Sequence, residues 1–239
     1  MAGRSILITG VSSGIGYALA DEALRRDWQV WGLSRRIPRD LVERGLKHEA
    51  VDLSDLAGLR AIQSRFLGEV REWELVVLNA GTLGTFGDLT QVGWEDLQRV
   101  WETNVLANKV LLDGIVEAGV ILRQVVALSS GAAHDPKLGI PAYCVSKAAL
   151  TMLIRLYALE LVNSHFCLLM PGIVDTAMQR ELSSRSLDER YPLLRELKIR
   201  REAGQLSAPP WLASQLLERY RELPDRIASG EALHIASLS

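Results

Sequence analysis

Short runs of apolar residues alternate along the chain with longer stretches in which apolar positions recur every three or four residues. Runs of strand length occur near 5–10, 29–34, 48–52, 75–79, 124–130, 164–170 and 231–236. The helical period between them predicts helices near 15–27, 55–71, 93–118, 143–162 and 210–222. Strands that alternate with helices in this way indicate an α/β protein with a doubly wound parallel sheet of about seven strands, flanked by helices.

The composition agrees with a single α/β domain that spans residues 1–239. Hydrophobic residues make up 48% of the chain, enough for a large core, and no repeat, low-complexity tract or linker-like break divides it. A net charge of -2 gives no sign of nucleic-acid binding. The four histidines and two cysteines show no metal-ligand spacing, so no metal is expected. Few cysteines, no cleavable apolar segment and no apolar run of membrane-spanning length lead us to expect a cytoplasmic protein without a membrane partner.

The first predicted strand ends in a glycine-rich turn. Residues 5–16 read SILITGVSSGIG and lead directly into a helical pattern. Glycines allow a tight turn and the close approach of a pyrophosphate, whose charge is stabilised by free amides and by the positive end of a helix dipole. The spacing is TGxxxGxG rather than GxGxxG. For this motif alone, a turn that serves only to pack the helix on its strand is the alternative.

A tyrosine and a lysine stand four residues apart in the segment 130–147, which reads SGAAHDPKLGIPAYCVSK. Residues four apart on a helix share a face, so the Lys147 ammonium would lie beside the Tyr143 ring and stabilise its phenolate. Lowering the pKa of a phenol from about 10 to neutrality takes about 4 kcal/mol, more than one exposed ion pair supplies. A bound cofactor and partial burial would have to contribute, and a solvated Tyr–Lys pair remains the alternative.

These motifs and several others resemble the classical short-chain dehydrogenase/reductase family in their order and approximate spacing over residues 4–176. The resemblance implies a Rossmann-type fold, a bound nicotinamide cofactor and hydride transfer to a small-molecule carbonyl substrate. The residues that carry it are Thr9 and Gly10 with Gly14 and Gly16, Asp52 with Leu53, Asn79 with Ala80 and Gly81, Asn104, Ser130, Tyr143 with Lys147, and Pro171 and Gly172 with Thr176.

The resemblance also implies four catalytic residues. Tyr143 would protonate the carbonyl oxygen, and Ser130 would hold that oxygen by a hydrogen bond. Lys147 would bind the nicotinamide ribose and lower the pKa of Tyr143. Asn104 would support a water chain that refills the tyrosine proton, although a helix-contact role stays open for it. The implied cofactor contacts are Gly10, Ser12, Ser13, Gly14, Ile15, Gly16, Ser34, Arg35, Asp52, Leu53, Asn79, Ala80, Gly81, Tyr143, Lys147, Pro171, Gly172, Val174 and Thr176.

The end of the second predicted strand bears on the choice of cofactor. An acidic residue there would bind the adenosine ribose of NADH, whereas this chain has Ser34 followed by Arg35 and Arg36. A guanidinium can grip a 2′-phosphate through two parallel hydrogen bonds, so Arg35 favours NADPH over NADH. A solvated basic loop is the alternative.

The segment 177–206 follows the Pro171 and Gly172 motif, and loops at this edge of an α/β sheet set specificity. Its apolar residues recur at helical spacing among charged residues, which predicts either an amphipathic lid over the substrate or a surface helix permanently packed on the core. Those apolar residues are Leu187, Tyr191, Leu194 and Leu197.

About the last 35 residues resemble the ending of sepiapterin reductases and of bacterial benzil reductases, with His234 at the position of an acidic residue in the former. This likeness implies a vicinal dicarbonyl or an aromatic ketone as substrate. We therefore favour an NADPH-dependent carbonyl reductase, an oxidoreductase of the EC 1.1.1 type. An alcohol or sugar dehydrogenase that runs as an oxidation and a non-catalytic NADP-binding sensor or signalling protein are the alternatives. By resemblance, the chain would form a homodimer through its fourth and fifth helices, or a tetramer.

Overall fold

Seven strands form one parallel sheet within residues 4–238, which the computed structural model describes. The strands in chain order are β1 (Ser5–Thr9), β2 (Gln29–Ser34), β3 (Lys47–Ala50), β4 (Glu72–Trp73), β5 (Leu75–Leu78), β6 (Ile121–Leu122), β7 (Gln124–Leu128), β8 (His165–Met170) and β9 (Ala232–His234). The sheet has the order β3-β2-β1-β5-β7-β8-β9, while β4 and β6 pair with each other. Each predicted strand is confirmed to within two residues of its predicted bounds. The predicted domain also includes Met1, Ala2, Gly3 and Ser239, which lie outside the described residues.

Helices cover both faces of this sheet. They are α1 (Gly14–Arg25), α2 (Arg39–Glu43), α3 (Leu56–Leu67), α4 (Trp94–Trp101), α5 (Ala107–Glu117), α6 (Pro141–Glu160), α7 (Ala177–Ser183), α8 (Pro192–Glu202), α9 (Pro209–Arg219) and α10 (Leu223–Arg226). The helix predicted over 93–118 is divided into α4 and α5 by a π-helical turn at Glu102–Leu106. The sequence pattern missed the short helices α2 and α10, whose few residues are too short to establish a period. The fold is a single-domain, Rossmann-like α/β fold, as predicted.

Apolar residues of β1 alternate between two buried layers. Ile6 and Ile8 belong to a layer with α1 and α9, whereas Leu7 belongs to a layer with α3, α5 and α6. Because both faces of the sheet are covered, all five residues of β1 are buried. Strand β1 lies between β2 and β5, so the winding of the sheet reverses there, and a ligand crevice is expected beyond the carboxyl ends of these strands.

Helix α6 differs from the expectation that the chain has no apolar segment of membrane-spanning length. Among residues 4–238 it is the one helix long and apolar enough to cross a membrane, with 20 residues and a mean hydropathy of 1.3, judged by length and composition alone. Its Leu150 and Ile154 are buried in the same layer as Phe166 of β8. The core helices of globular proteins pass the same test, and we interpret α6 as such a helix.

Candidate active site

A cleft of about 640 Å³ opens at the carboxyl ends of the central strands, where the winding of the sheet reverses. Most of the predicted cofactor contacts line it, although they come from separate parts of the chain. Those residues are Gly10, Ser12, Ser13, Gly14, Ile15, Ser34, Arg35, Asp52, Leu53, Asn79, Ala80, Gly81, Tyr143, Lys147, Pro171 and Thr176.

Three predicted contacts do not line this cleft: Gly16, Gly172 and Val174. A Cβ on Gly16 would lie 2.3 Å from the Gly10 carbonyl oxygen, so Gly16 allows α1 to approach the end of β1. Val174 is buried in the core layer of α1 and α9. Gly172 is exposed, has a φ of 72° and faces the His234 ring, which a Cβ would meet at 3.4 Å. Gly16 and Val174 thus have packing roles in this structure, and their contact with a cofactor stays a prediction.

Ten other residues line the cleft and were absent from the predicted set. Several of them directly adjoin predicted residues in the sequence, so extending each motif by one or two positions would have found them. They are Arg36, Val51, Ser54, Thr82, Arg99, Thr103, Leu128, Ser129, Ala177 and Met178.

The ends of β1 and β5 are tied together by Thr9 and Asn79. The Thr9 hydroxyl accepts hydrogen bonds from the backbone amides of Asn79 and Ala80, both at 3.0 Å. In return, Asn79 Nδ2 donates to the Thr9 carbonyl oxygen at 2.8 Å. This exchange fixes the place where the glycine-rich turn begins.

The glycine-rich turn fits a pyrophosphate. Gly10 and Gly14 have positive φ angles of 80° and 60°, which a residue with a side chain rarely adopts. Ser13, the N-cap of α1, makes no side-chain capping hydrogen bond. The amides of the first turn of α1 are therefore open to an anion, in a field that favours negative charge.

At the other end of the cleft, beyond β2 and β3, two charged side chains face each other. Arg35 Nη1 lies 3.8 Å from an Asp52 carboxylate oxygen, and both side chains are exposed. Partial burial works against the charged form of Asp52, but hydrogen bonds from the Ser54 amide and hydroxyl hold its pKa below the usual range. Asp52 is therefore an ionised hydrogen-bond acceptor on the wall of the cleft.

Tyr143 and Lys147 come one turn apart on α6 and share a face, as predicted. The Lys147 Nζ is 5.5 Å from the centre of the Tyr143 ring and donates a hydrogen bond to the Leu128 carbonyl oxygen at 2.6 Å. Burial raises the pKa of Tyr143 to about 12, although a hydrogen bond with Ser130 acts in the opposite direction. Burial also lowers the pKa of Lys147 to about 8. In the protein alone, burial outweighs the predicted effect of Lys147 on the tyrosine.

Asn104 lies in the π-helical turn and is fully buried. Its side chain accepts a hydrogen bond from the Thr82 amide at 2.8 Å, and donates to the Thr82 carbonyl oxygen and to the Ser146 hydroxyl, both at 2.9 Å. The Ser146 hydroxyl in turn donates to the Tyr143 carbonyl oxygen at 2.8 Å. Asn104 thus connects the loop after β5 to the helix that carries Tyr143. Neither Asn104 nor Ser130 lines the cleft itself.

A cluster of apolar side chains, here called the apolar wall, lies on the far side of Tyr143. Its buried members are Leu83, Ile140, Leu182 and Leu197, and Tyr143, Met178 and Phe86 pack against it. Leu182 belongs to α7 and Leu197 to α8, so the segment predicted as a lid contributes directly to this wall. A second cavity of about 530 Å³ opens between α7 and the loop after β5, and shares Gly81, Thr82, Arg99, Ala177 and Met178 with the first.

The segment 177–206 is attached to the loop after β5 by Tyr191. The Tyr191 hydroxyl donates to Asp88 Oδ1 at 3.1 Å, and its ring contacts that of Phe86 edge to face, with ring centres 4.8 Å apart.

Within residues 4–238, no group of three or more histidine, cysteine, aspartate or glutamate side chains is placed to hold a metal ion.

Comparison with known proteins agrees with this geometry. The family described as short chain dehydrogenase matches residues 4–187. A benzil reductase ((S)-benzoin forming) from Bacillus cereus is 26% identical over 230 residues, which cover 89% of this chain and 92% of that protein. A 2,3-dihydro-2,3-dihydroxybenzoate dehydrogenase from Escherichia coli is 30% identical over 235 residues, which cover 95% of this chain and 93% of that protein. The resemblance to benzil reductases is confirmed.

The fold is also found in a solved structure. A short chain dehydrogenase/reductase from Saccharomyces cerevisiae has a TM-score of 0.83 to this chain at 24% identity, and the match covers 99% of this chain and 98% of that one. With the family match spanning most of the chain and every element of the fold in place, this protein belongs to the short chain dehydrogenase family.

Proposed function

We propose that this oxidoreductase uses NADPH to reduce a carbonyl group, in a vicinal dicarbonyl or an aromatic ketone, to an alcohol. The position of Tyr143 carries the proposal. Its side chain lines the cofactor cleft and also packs against the apolar wall, so a carbonyl group placed between the two would meet its hydroxyl. Ser130 lies close enough to that hydroxyl to act on the pKa of Tyr143, in the direction that lowers it.

The proposed catalytic roles divide among four residues. A bound nicotinamide cofactor supplies the hydride. Tyr143 donates the proton to the carbonyl oxygen, and Ser130 holds that oxygen as negative charge develops on it. Lys147 stabilises the phenolate that remains and binds the cofactor ribose. Asn104 acts on Tyr143 through its bond to Ser146 and supports the supply of protons.

The protonation state of Tyr143 favours reduction over oxidation. A phenol with a pKa of about 12 keeps its proton at neutral pH. Reduction needs this protonated form as the acid, whereas oxidation of an alcohol needs the phenolate as the base. The same four residues can catalyse both carbonyl reduction and alcohol oxidation. A comparison of the two rates therefore tests which reaction the protein favours.

The preference for NADPH is proposed from the end of β2. Ser34 stands there in place of an acid, and Arg35 and Arg36 follow it on the wall of the cleft. An acidic side chain would repel a 2′-phosphate, whereas two guanidinium groups attract one. We propose that Asp52 accepts a hydrogen bond from the adenine amino group.

The substrate class is proposed from the apolar wall and the relatives. Leu83, Ile140 and Met178 surround Tyr143 with apolar surface, which suits an aromatic or branched ketone better than a sugar. The benzil reductase relative is named for an aromatic diketone. We further propose that the segment 177–206 opens to admit this substrate and closes over it.

An exposed apolar stripe on α6 supports a homodimer. Val145, Met152, Leu156 and Leu159 are 45%, 56%, 48% and 76% exposed, and their spacing places them along one side of the helix. An apolar stripe of this kind is costly to leave in water. We propose that it pairs with a second copy, that a tetramer can form by a further contact, and that the protein acts in the cytoplasm.

The decisive experiment measures oxidation of NADPH and of NADH with vicinal diketones, simple ketones, aldehydes, quinones and sepiapterin as substrates. Tyr143→Phe should lower turnover by about a hundredfold to ten-thousandfold, because the general acid is lost, and should leave NADPH affinity within a few fold. Tyr157→Phe, on the same helix but bonded to Asp113, is the matched control and should keep its activity. Near-normal turnover by Tyr143→Phe would refute the assignment. Tight NADPH binding without turnover on any substrate would favour the sensor alternative, and faster alcohol oxidation with NAD would favour the dehydrogenase.

A further inference from the structure

His48 lies beside Ser34 at the end of the cleft proposed for the 2′-phosphate. The two residues stand on neighbouring strands, and His48 Nε2 is 2.9 Å from the Ser34 hydroxyl oxygen. Ser34 is 5% exposed and lines the cleft, and His48 is half-buried behind it. None of the sequence motifs includes His48, since it stands four residues before Asp52 within a strand.

The hydrogen bonds of Ser34 fix which ring nitrogen of His48 carries a proton. A serine hydroxyl has one proton, and Ser34 donates it to the Arg36 carbonyl oxygen at 2.8 Å. The contact with His48 therefore requires the histidine to be the donor, from Nε2–H to the serine oxygen. In the other tautomer, His48 Nε2 would accept the hydroxyl proton of Ser34, and the bond to Arg36 would be lost. Because His48 is the donor, the Ser34 hydroxyl can donate to the Arg36 carbonyl oxygen in the loop after β2.

His48 is poised to respond to added negative charge. Burial lowers the pKa of its imidazole, and the neighbouring Glu49 and a hydrogen bond to the Ser34 backbone oppose this only in part. A phosphate bound next to Ser34 would favour the charged imidazolium and raise that pKa again. Titratable or charged side chains surround His48 on every neighbouring element. They are Tyr17, Asp21 and Arg44 near α1, Arg35, Arg36, Arg39, Asp40 and Glu43 after β2, Lys47, Glu49 and Asp52 on and after β3, and Arg65 and Glu69 near α3.

Most of these groups already have a partner, which is an opposite charge or, for Asp40, a neutral hydroxyl. Glu49 lies 3.4 Å from Arg65, and Asp52 lies 3.8 Å from Arg35. Arg44 pairs with Asp21, Lys47 with Glu69, and Asp40 with the Tyr17 hydroxyl. A phosphate bound near Arg35 and Arg36 would therefore bring new negative charge close to His48.

We propose that His48 is a positioning residue for the 2′-phosphate of NADPH: its bond to the Ser34 oxygen keeps the serine proton on the loop that carries Arg35 and Arg36, which would bind the phosphate, and His48 takes up a proton when the phosphate binds. This inference rests on the proposed use of NADPH. NADH lacks the phosphate, so its binding would leave His48 neutral. Protonation favours the NADPH complex, so NADPH affinity rises as the pH falls through the pKa that His48 has in the complex, and levels off below the pKa it has in the protein alone.

Calorimetric titration in buffers of different ionisation enthalpy measures this proton directly. The comparison uses wild type, His48→Gln, which keeps a donor but cannot gain a proton, and His48→Leu, which loses both functions. His165→Gln is the matched control. His165 is also half-buried with a pKa lowered by burial, but it lies at the amino end of β8, bonded to the Ile227 carbonyl oxygen.

Wild type and His165→Gln should take up more protons than His48→Gln on binding NADPH near neutral pH, and the three should not differ with NADH. From a pH well above the pKa that His48 has in the complex to one below the pKa that it has in the protein alone, the NADPH affinity of wild type should gain about tenfold over that of His48→Gln for each unit by which these two pKa values differ. The 2′-phosphate itself titrates at about pH 6 in both proteins, so the comparison of wild type with His48→Gln isolates the contribution of His48 and its coupling to the phosphate. At high pH, where His48 is neutral even in the complex, His48→Leu should weaken NADPH, and not NADH, by about twofold to tenfold, the value of one hydrogen bond, and this loss should grow as the pH falls because the variant also cannot take up the proton.

Equal proton uptake by wild type and His48→Gln would overturn the proton-uptake role, and an unchanged NADPH-to-NADH ratio in His48→Leu would overturn the positioning role. If His48→Leu does not fold, His48→Asn replaces it, because the asparagine amide is one methylene group shorter than that of His48→Gln and ends farther from the Ser34 oxygen. A wild-type protein that binds NADH as tightly as NADPH at every pH would instead contradict the proposed cofactor. The wild-type titration alone therefore separates the failure of that proposal from the failure of this inference.

Discussion

Lys147 donates a hydrogen bond to the carbonyl oxygen of Leu128, the last residue of β7, at 2.6 Å. The cation is therefore anchored on the sheet, with its Nζ 5.5 Å from the centre of the Tyr143 ring. Helical spacing brings Lys147 and Tyr143 to one face, but the end of β7 decides where the ammonium points. This arrangement leaves a buried cation and a half-buried phenol whose pKa values both move in the direction that opposes charge.

Lys147→Met should change how the stability of the cofactor-free protein depends on pH. Folding lowers the pKa of Lys147 from 10.5 to about 8, so between these pH values the unfolded chain binds a proton that the folded chain does not. The free energy of unfolding of wild type should rise relative to Lys147→Met over this interval, by about 3 kcal/mol in total. Below about pH 8 both states carry the proton, and the difference should level off. Urea unfolding of both proteins measures it, and a difference that stays constant up to about pH 10 would contradict the assigned pKa.

Asn104→Ala should destabilise the protein more than Asn108→Ala. Asn104 makes three side-chain hydrogen bonds in a fully buried position, and its loss leaves the Thr82 amide without its acceptor. We expect a loss of about 2–4 kcal/mol in the free energy of unfolding. Asn108 donates one bond, to the Asn104 carbonyl oxygen, and should cost about 1 kcal/mol. Denaturant titration gives both values. Equal losses of stability in the two variants would contradict a stabilising role for the hydrogen bonds by which Asn104 connects the loop after β5 to α6.

Arg35→Leu should weaken NADPH and leave NADH unchanged. A charge-assisted hydrogen bond to a phosphate is worth about 1.5–3 kcal/mol, which corresponds to about a tenfold to hundredfold loss of NADPH affinity. Fluorescence titration with each cofactor measures the ratio. Arg60→Leu removes another largely exposed arginine, which pairs with Glu117 on a different helix, and should leave both affinities as they are. An equal loss for NADPH and NADH would place Arg35 outside the 2′-phosphate site.

Tyr191→Phe tests whether the segment 177–206 opens independently. The change removes the hydrogen bond to Asp88 and keeps the ring contact with Phe86. If the segment opens by itself, its cleavage by trypsin tracks the open population and should quicken by about twofold to tenfold. The free energy of global unfolding should change less, as denaturant titration can check. Cleavage that follows global stability alone would make 177–206 a permanently packed part of the core.

Much of the fold was predictable because its signals are local. The apolar runs that became β1 and β2 are buried on both faces, and their length and composition identify them without knowledge of any partner. Gly10 and Asn79 could be placed near a cofactor because the carboxyl ends of parallel strands share one edge of the sheet. The i to i+4 spacing similarly placed Lys147 beside Tyr143.

The remaining features depend on distances between elements that are far apart in the sequence. No local pattern marks His48 as the partner of Ser34, because their contact depends on the register of β2 against β3. The sequence marked Gly16 as a cofactor contact, while its packing role, the close approach of α1 to the end of β1, is visible only in the structure. The pKa values of Tyr143 and Lys147 were set by burial. The sequence by itself determined the elements and the chemical groups, since periodicity and side-chain chemistry are local properties, while desolvation and hydrogen-bond partners were decided by tertiary packing.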